Sequence, residues 1–198
     1  IADTHEIITP AYIVFRELVA ENLRMMIEMA SDVRRLRPHC KTHKMAAVTR
    51  MELDLGITKH KCATLAEAEM WANAGAPDIL LAYNVVGANI HRAVEFARTY
   101  PHVEFMVTAD HQRPVAELSA AAQAADVRIG VMLDLDAGMH RTGIVPGDSA
   151  LALYGQVHAS PGLEAVGLHA YDGHHHEHDV AQRKANIDEE LQAVVNFR

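Results

Sequence analysis

Three segments of this 198-residue chain hold side chains suited to chemistry. The first is Arg37-Pro38-His39-Cys40-Lys41-Thr42-His43-Lys44. A lysine amine is nucleophilic only when neutral, and nearby cations and partial burial move it toward that state. For Lys41 those neighbours are His39, His43 and Lys44. The same composition also describes a solvated basic turn, since lysine is usually exposed. The second segment is Asp134-Leu135-Asp136-Ala137-Gly138-Met139-His140-Arg141, which combines carboxylates with a guanidinium. The third is His169-Ala170-Tyr171-Asp172-Gly173.

The third segment continues into His174-His175-His176-Glu177-His178-Asp179. Imidazoles and carboxylates suit zinc or manganese. Consecutive histidines point in different directions in any regular element, and no His-x-x-x-His pair on a helix supports a metal site. The run therefore reads as a solvated loop opening the last helix, and no metal ligand is assigned within this chain.

These segments need elements to position them, and the hydrophobic pattern supplies an alternation. After Pro10 comes the apolar run Ala11-Tyr12-Ile13-Val14-Phe15. A helix is expected over residues 17–31, with Leu18, Leu23, Met26 and Met29-Ala30 toward its buried side. A short strand holding Pro38 is expected over 36–41, then a helix over 46–55 stopped at Gly56. Strands at 59–64, 78–83, 103–108, 127–134 and 163–171 then alternate with helices at 65–73, 88–100, 112–125, 148–159 and 179–197. Counted from Leu36, these make six strand–helix units.

Such alternation implies an α/β fold with a parallel sheet. No G-x-G-x-x-G follows a strand, which counts against a dinucleotide-binding sheet. A (β/α)8 TIM-type barrel needs about 250 residues. The chain therefore reads as a partial barrel, ending before strands seven and eight. Chemistry in a barrel gathers at the carboxyl ends of the strands. Those ends carry Lys41, Thr64, Tyr83-Asn84, Asp134 to Arg141, and His169 to His174. Strand alternation sets His169 and Tyr171 on one face.

Composition narrows the function classes. The net charge is −8 and the pI about 5.9. An acidic chain of this kind argues against nucleic acid as main partner. No apolar run reaches a membrane-spanning length. The opening residues Ile1-Ala2-Asp3-Thr4-His5 show no export signal, so a cytoplasmic location is expected. Starting on Ile, the chain also reads as a processed or partial product. Two cysteines, Cys40 and Cys62, make no disulfide framework and fit a reducing compartment.

The first segment resembles the R-P-H-x-K-T-H-K signature of the D-threonine aldolase and D-serine dehydratase family. That family belongs to the fold-type III pyridoxal 5′-phosphate (PLP) enzymes, related to the N-terminal barrel of alanine racemase. All seven fixed positions of the signature are matched between Arg37 and Lys44. Thr9-Pro10-Ala11 resembles the T-P-x opening, and Ala63-Thr64-Leu65-Ala66-Glu67-Ala68-Glu69 the segment entering an E-A-E helix. Asp136 to Gly143 resembles D-x-G-x-x-R-x-G. Gly167 to Gly173 resembles G-L-Q-A-Y-H-G, with His169 in place of the glutamine.

The resemblance implies that Lys41 is catalytic and holds PLP as a Schiff base. It implies cofactor contacts from Arg141 at the polar ring edge and from Tyr171. His169 is expected as a cofactor neighbour, and His39 as a group orienting Lys41 or the ring. Residues 1–15 would belong with a C-terminal β-domain and residues 16–198 would form the partial barrel. A divalent metal, zinc or manganese, would be held in that C-terminal region. The implied activity is a lyase acting on D-β-hydroxy amino acids, by aldol cleavage or dehydration, in a homodimer. The alternatives are an amino-acid racemase on the same scaffold and a PLP carrier protein.

Overall fold

The computed structural model describes residues 4–198. Among these, seven helices accompany five strands. The helices are α1 (Arg16–Ala30), α2 (Ala46–Asp54), α3 (Leu65–Asn73), α4 (Ala88–Thr99), α5 (Gln112–Ala124), α6 (Asp148–Ala159) and α7 (Val180–Phe197). The strands are β1 (Lys59–Cys62), β2 (Asp78–Asn84), β3 (Glu104–Ala109), β4 (Ile129–Leu135) and β5 (Leu163–Ala170). The strands pair in parallel and in chain order, each joined to the next through a helix. That connectivity is the repeating unit of a (β/α) barrel, and the chain forms part of one.

The expected first strand, over 36–41, is corrected. It contributes a single parallel bridge, His39 to Lys61, instead of a ladder. Pro38 has no N–H to donate, and its carbonyl accepts the Lys61 N–H at 2.9 Å. The chain then winds into a 3-10 turn at Cys40–Thr42. Arg37 anchors the segment from below. Its guanidinium forks onto the Asp78 carboxylate, with Nη2 to Oδ2 at 3.0 Å, and reaches the His60 carbonyl at 3.3 Å. The apolar run Ala11 to Phe15 pairs with nothing among the described residues, and Tyr12 and Phe15 are exposed. A strand needs a neighbour to satisfy its backbone.

Alternation along the strands sends successive side chains to opposite faces. The outer face, with Ile79, Leu81, Val107, Val131 and Leu133, packs against Trp71, Leu118 and Leu153 of the helices. Each such fully buried side chain contributes roughly 1.5–3 kcal/mol. The inner face carries Lys61, Thr108, Asp134 and His169. Helix starts follow from the local residues. Thr64 caps α3, its Oγ1 accepting the Glu67 N–H at 3.2 Å, while Glu67 Oε2 accepts the Ala63 N–H at 2.8 Å. This is close to a capping box.

Candidate active site

Lys41 stands on the turn that follows the bridge. His39 caps this turn, its Nδ1 accepting the Lys41 N–H at 3.1 Å. Burial pushes the His39 imidazole down to about 4, and the Lys41 and Lys61 cations push it the same way. His39 is therefore neutral near pH 7, as an acceptor requires. Its observed contact is with the turn that presents Lys41.

Two further lysines share this end of the sheet, and both are engaged. Lys44 pairs with the buried carboxylate of Glu67. Lys61 Nζ lies 2.9 Å from His169 Nε2. Among the described residues, no hydrogen bond or ion pair engages Lys41 Nζ, which lies 5.8 Å from the Tyr171 ring centroid. Arg141 shares that ring, with its Cζ 5.0 Å from the centroid. The Lys41 amine and the Arg141 guanidinium thus share the Tyr171 ring.

The loop between β4 and α6 is built to project Arg141. Asp136 Oδ1 accepts the N–H groups of Gly138 at 3.1 Å and His140 at 2.9 Å. Its Oδ2 meets His140 Nδ1 at 2.7 Å. Gly143 closes the loop at φ +100°, where a Cβ would lie 2.5 Å from the Asp136 nitrogen, so only glycine fits. Asp110 Oδ2 accepts the Gly143 N–H at 2.9 Å. The aspartate and glycines of D-x-G-x-x-R-x-G are thus the frame, and the arginine is what the frame presents.

His169 lies in β5 in register with Asp134 of β4. Its Nδ1 is 2.6 Å from Asp134 Oδ1. With Lys61 on Nε2, the imidazole is held at both nitrogens inside the barrel. Burial, followed by the Lys41 cation, pushes the Lys61 ammonium below its ordinary range. Lys61 was absent from the sequence-based candidates, and Asp134 appeared there only as a strand end. The available signal was alternation, because Lys61 falls on the face opposite His60 and Cys62.

A cavity of about 470 Å³ opens at the carboxyl ends of the strands, lined among others by Lys41, Asn84, Asp134, Arg141, His169 and Tyr171. His39 lines it as well. All five expected site residues therefore meet at one mouth. An unengaged amine, an aromatic wall and a guanidinium fit the aldehyde and ring of a pyridoxal.

The histidine run divides, with His174 and His175 partly buried and His176 and His178 exposed. His174 and His175 both contact Glu190 of α7, and the His175 side chain is only 6% exposed. The expectation of a solvated loop is corrected for His174 and His175, which meet Glu190 of α7, and agrees with the exposure of His176 and His178.

Residues 16–198 match the family described as alanine racemase, N-terminal domain. A 3-hydroxy-D-aspartate aldolase of Paracoccus denitrificans (strain Pd 1222) is 31% identical over 196 residues, covering 97% of this chain and 50% of that protein. A D-threonine aldolase of Arthrobacter sp. is 30% identical over 182 residues, covering 90% of this chain and 47% of that protein. The crystal structure of D-threonine aldolase from Filomicrobium marinum superposes with a TM-score of 0.88 at 32% identity, over 96% of this chain and 51% of that one. The chain spans about half the length of these relatives. It belongs to the alanine racemase N-terminal domain family and, with the D-threonine aldolase-like proteins it resembles, to the fold-type III pyridoxal phosphate group.

Proposed function

We propose that this chain is the cofactor-binding half of a pyridoxal phosphate-dependent lyase acting on D-β-hydroxy amino acids, with Lys41 as the residue that holds the cofactor. The observation that carries this reading is the contrast among the three lysines. Lys44 and Lys61 are engaged by Glu67 and His169, while Lys41 has an amine with no such partner beside Arg141 and Tyr171. When bound, pyridoxal phosphate supplies an aldehyde and a ring that withdraws electrons from the substrate.

The chain's own residues do the positioning. His39 fixes the turn, so the Lys41 amine points into the mouth. The Arg141 guanidinium, presented by the Asp136 and Gly143 loop, would offer a fixed positive charge to the polar groups of a bound pyridoxal. Tyr171 forms the wall beneath. His169, gripped by Asp134 at Nδ1 and by Lys61 at Nε2, is held in one ring orientation at the cavity wall. Aldol cleavage is favoured over dehydration because the relatives at 30–31% identity are named aldolases, while a D-threo-3-hydroxyaspartate dehydratase of Delftia sp. is 27% identical. The reading includes a divalent metal, zinc or manganese, held by residues outside this chain. It also includes a cytoplasmic homodimer, and the unpaired thiols of Cys40 and Cys62 support a reducing compartment.

The test uses the full-length protein. Borohydride treatment of the PLP-loaded enzyme should leave the pyridoxyl label on the peptide holding Lys41, and Lys41→Ala should abolish release of glycine and acetaldehyde from D-threonine. A label on Lys44 or Lys61 would overturn the assignment.

A further inference from the structure

The β5–α7 loop brings together donors that are not part of the cavity mouth. His174 Nε2 and His175 Nε2 each lie 2.8 Å from the same oxygen, Glu190 Oε2. The three ligand atoms all lie within 4.8 Å of one another. The two rings stack at 4.2 Å with a 38° tilt, so their Nε2 edges converge. Adjacent histidines diverge in a strand or helix. Here they sit in a turn, closed by the His175 N–H on the Asp172 carbonyl at 3.3 Å, and both rings face α7.

We infer that His174, His175 and Glu190 form a binding site for a divalent cation of the borderline class, with zinc the best match. Zinc takes imidazole nitrogen at about 2.0–2.1 Å and carboxylate oxygen at about 2.0–2.2 Å. Tetrahedral ligands at those lengths stand roughly 3.3 Å apart. The 2.8 Å contacts are already close to that spacing, so the cation enters by a small spreading of side chains. Binding replaces the protons shared between the imidazoles and Glu190, and those protons leave to solvent.

A second observation points the same way. His175 turns its other nitrogen, Nδ1, to Glu177 Oε1 at 3.5 Å. Glu177 is itself held, its side chain by the Asn186 amide and its carbonyl by Arg183 Nη1 at 2.9 Å. A carboxylate behind the non-ligating nitrogen is the outer-shell arrangement that orients metal-binding histidines. The free Glu177 oxygen, Oε2, is buried with no hydrogen bond among the described residues.

The site has a structural consequence for the mouth. Glu190 lies against Gly138, where a Cβ would come within 2.5 Å of Glu190 Oε2. A cation there fastens α7 to the β5–α7 loop, with Glu190 packed against the loop that carries Asp136 and Arg141. All three ligands belong to this chain.

The experiment compares full-length wild type with His175→Gln and Glu190→Gln after zinc loading and desalting. Metal per chain is read by inductively coupled plasma mass spectrometry. Each variant should carry about one zinc ion per chain less than wild type. Equal zinc content in wild type and in both variants would overturn the site. If a variant fails to fold, anomalous scattering at the zinc edge from wild-type crystals decides. A peak between His174, His175 and Glu190 supports the site, and its absence overturns it. Borohydride labelling of Lys41 reads independently of this result, so failure of one reading is distinguishable from failure of the other.

Discussion

His60 and Lys61 are consecutive on β1, yet they occupy opposite chemical settings. His60 faces the helices. It is fully buried, stacked on Trp71 at 4.1 Å, with its Nε2 3.6 Å from Glu52 Oε2. That separation is too long for a normal hydrogen bond. Burial pushes His60 down to about 4 and Glu52 up to about 7, so both tend to be uncharged in a dry layer. Lys61 faces the barrel interior and joins His169 and Asp134 in a continuous polar chain. The difference teaches where this fold can keep charge. The outer face tolerates ionisable groups only when they are neutralised, while the inner face links them and aims them at the cavity.

The outer face should respond to volume. Leu133 is fully buried in the layer between sheet and helices. In the full-length protein, Leu133→Ala should cost about 2–5 kcal/mol in chemical denaturation. A loss below 1 kcal/mol would mean that the outer layer is not the stabilising core.

The inner face should respond in rate. Lys61→Met removes the contact on His169 Nε2. It should lower kcat on D-threonine by roughly tenfold or more, the value of a hydrogen bond involving a charged group, with KM moved less. An unchanged kcat would reduce the Lys61–His169–Asp134 chain to packing.

The third comparison uses pH. The ordinary value for Glu52 is 4.5, and burial raises it to about 7 in the folded chain. Between these values the folded state keeps a proton that the unfolded state has released. The stabilisation is therefore complete below about 4.5 and lost as pH rises through about 7. Glu52→Gln removes this titration. The Tm of the variant relative to wild type should rise across that window and level off above it. His60 titrates in the opposite sense in both proteins and drops out of the difference. A flat difference would mean that Glu52 is ionised and solvated.

Much of the frame was legible from residue patterns. The apolar core Ile79-Leu80-Leu81 and the stop at Gly75 place β2 where it forms, and the expected strand at 103–108 is observed one residue later, at Glu104–Ala109. The signature around Lys41 and the D-x-G-x-x-R-x-G loop named the principal groups at the mouth. Two local features misled. Residues 36–41 read as a strand, but Pro38 and the following turn leave a single bridge. His174 and His175 read as solvated because periodicity carries no information about a partner such as Glu190, 15 residues beyond His175 on α7.

By itself, the sequence determined the alternating α/β plan, the lysine-bearing motif and the arginine-bearing loop, because each rests on short-range spacing or a local motif. Tertiary structure decided which lysine lacks a partner, that Lys61 grips His169, and that Glu190 meets two histidines. Those outcomes depend on distances between residues far apart in the chain, and sheet register and helix packing set such distances.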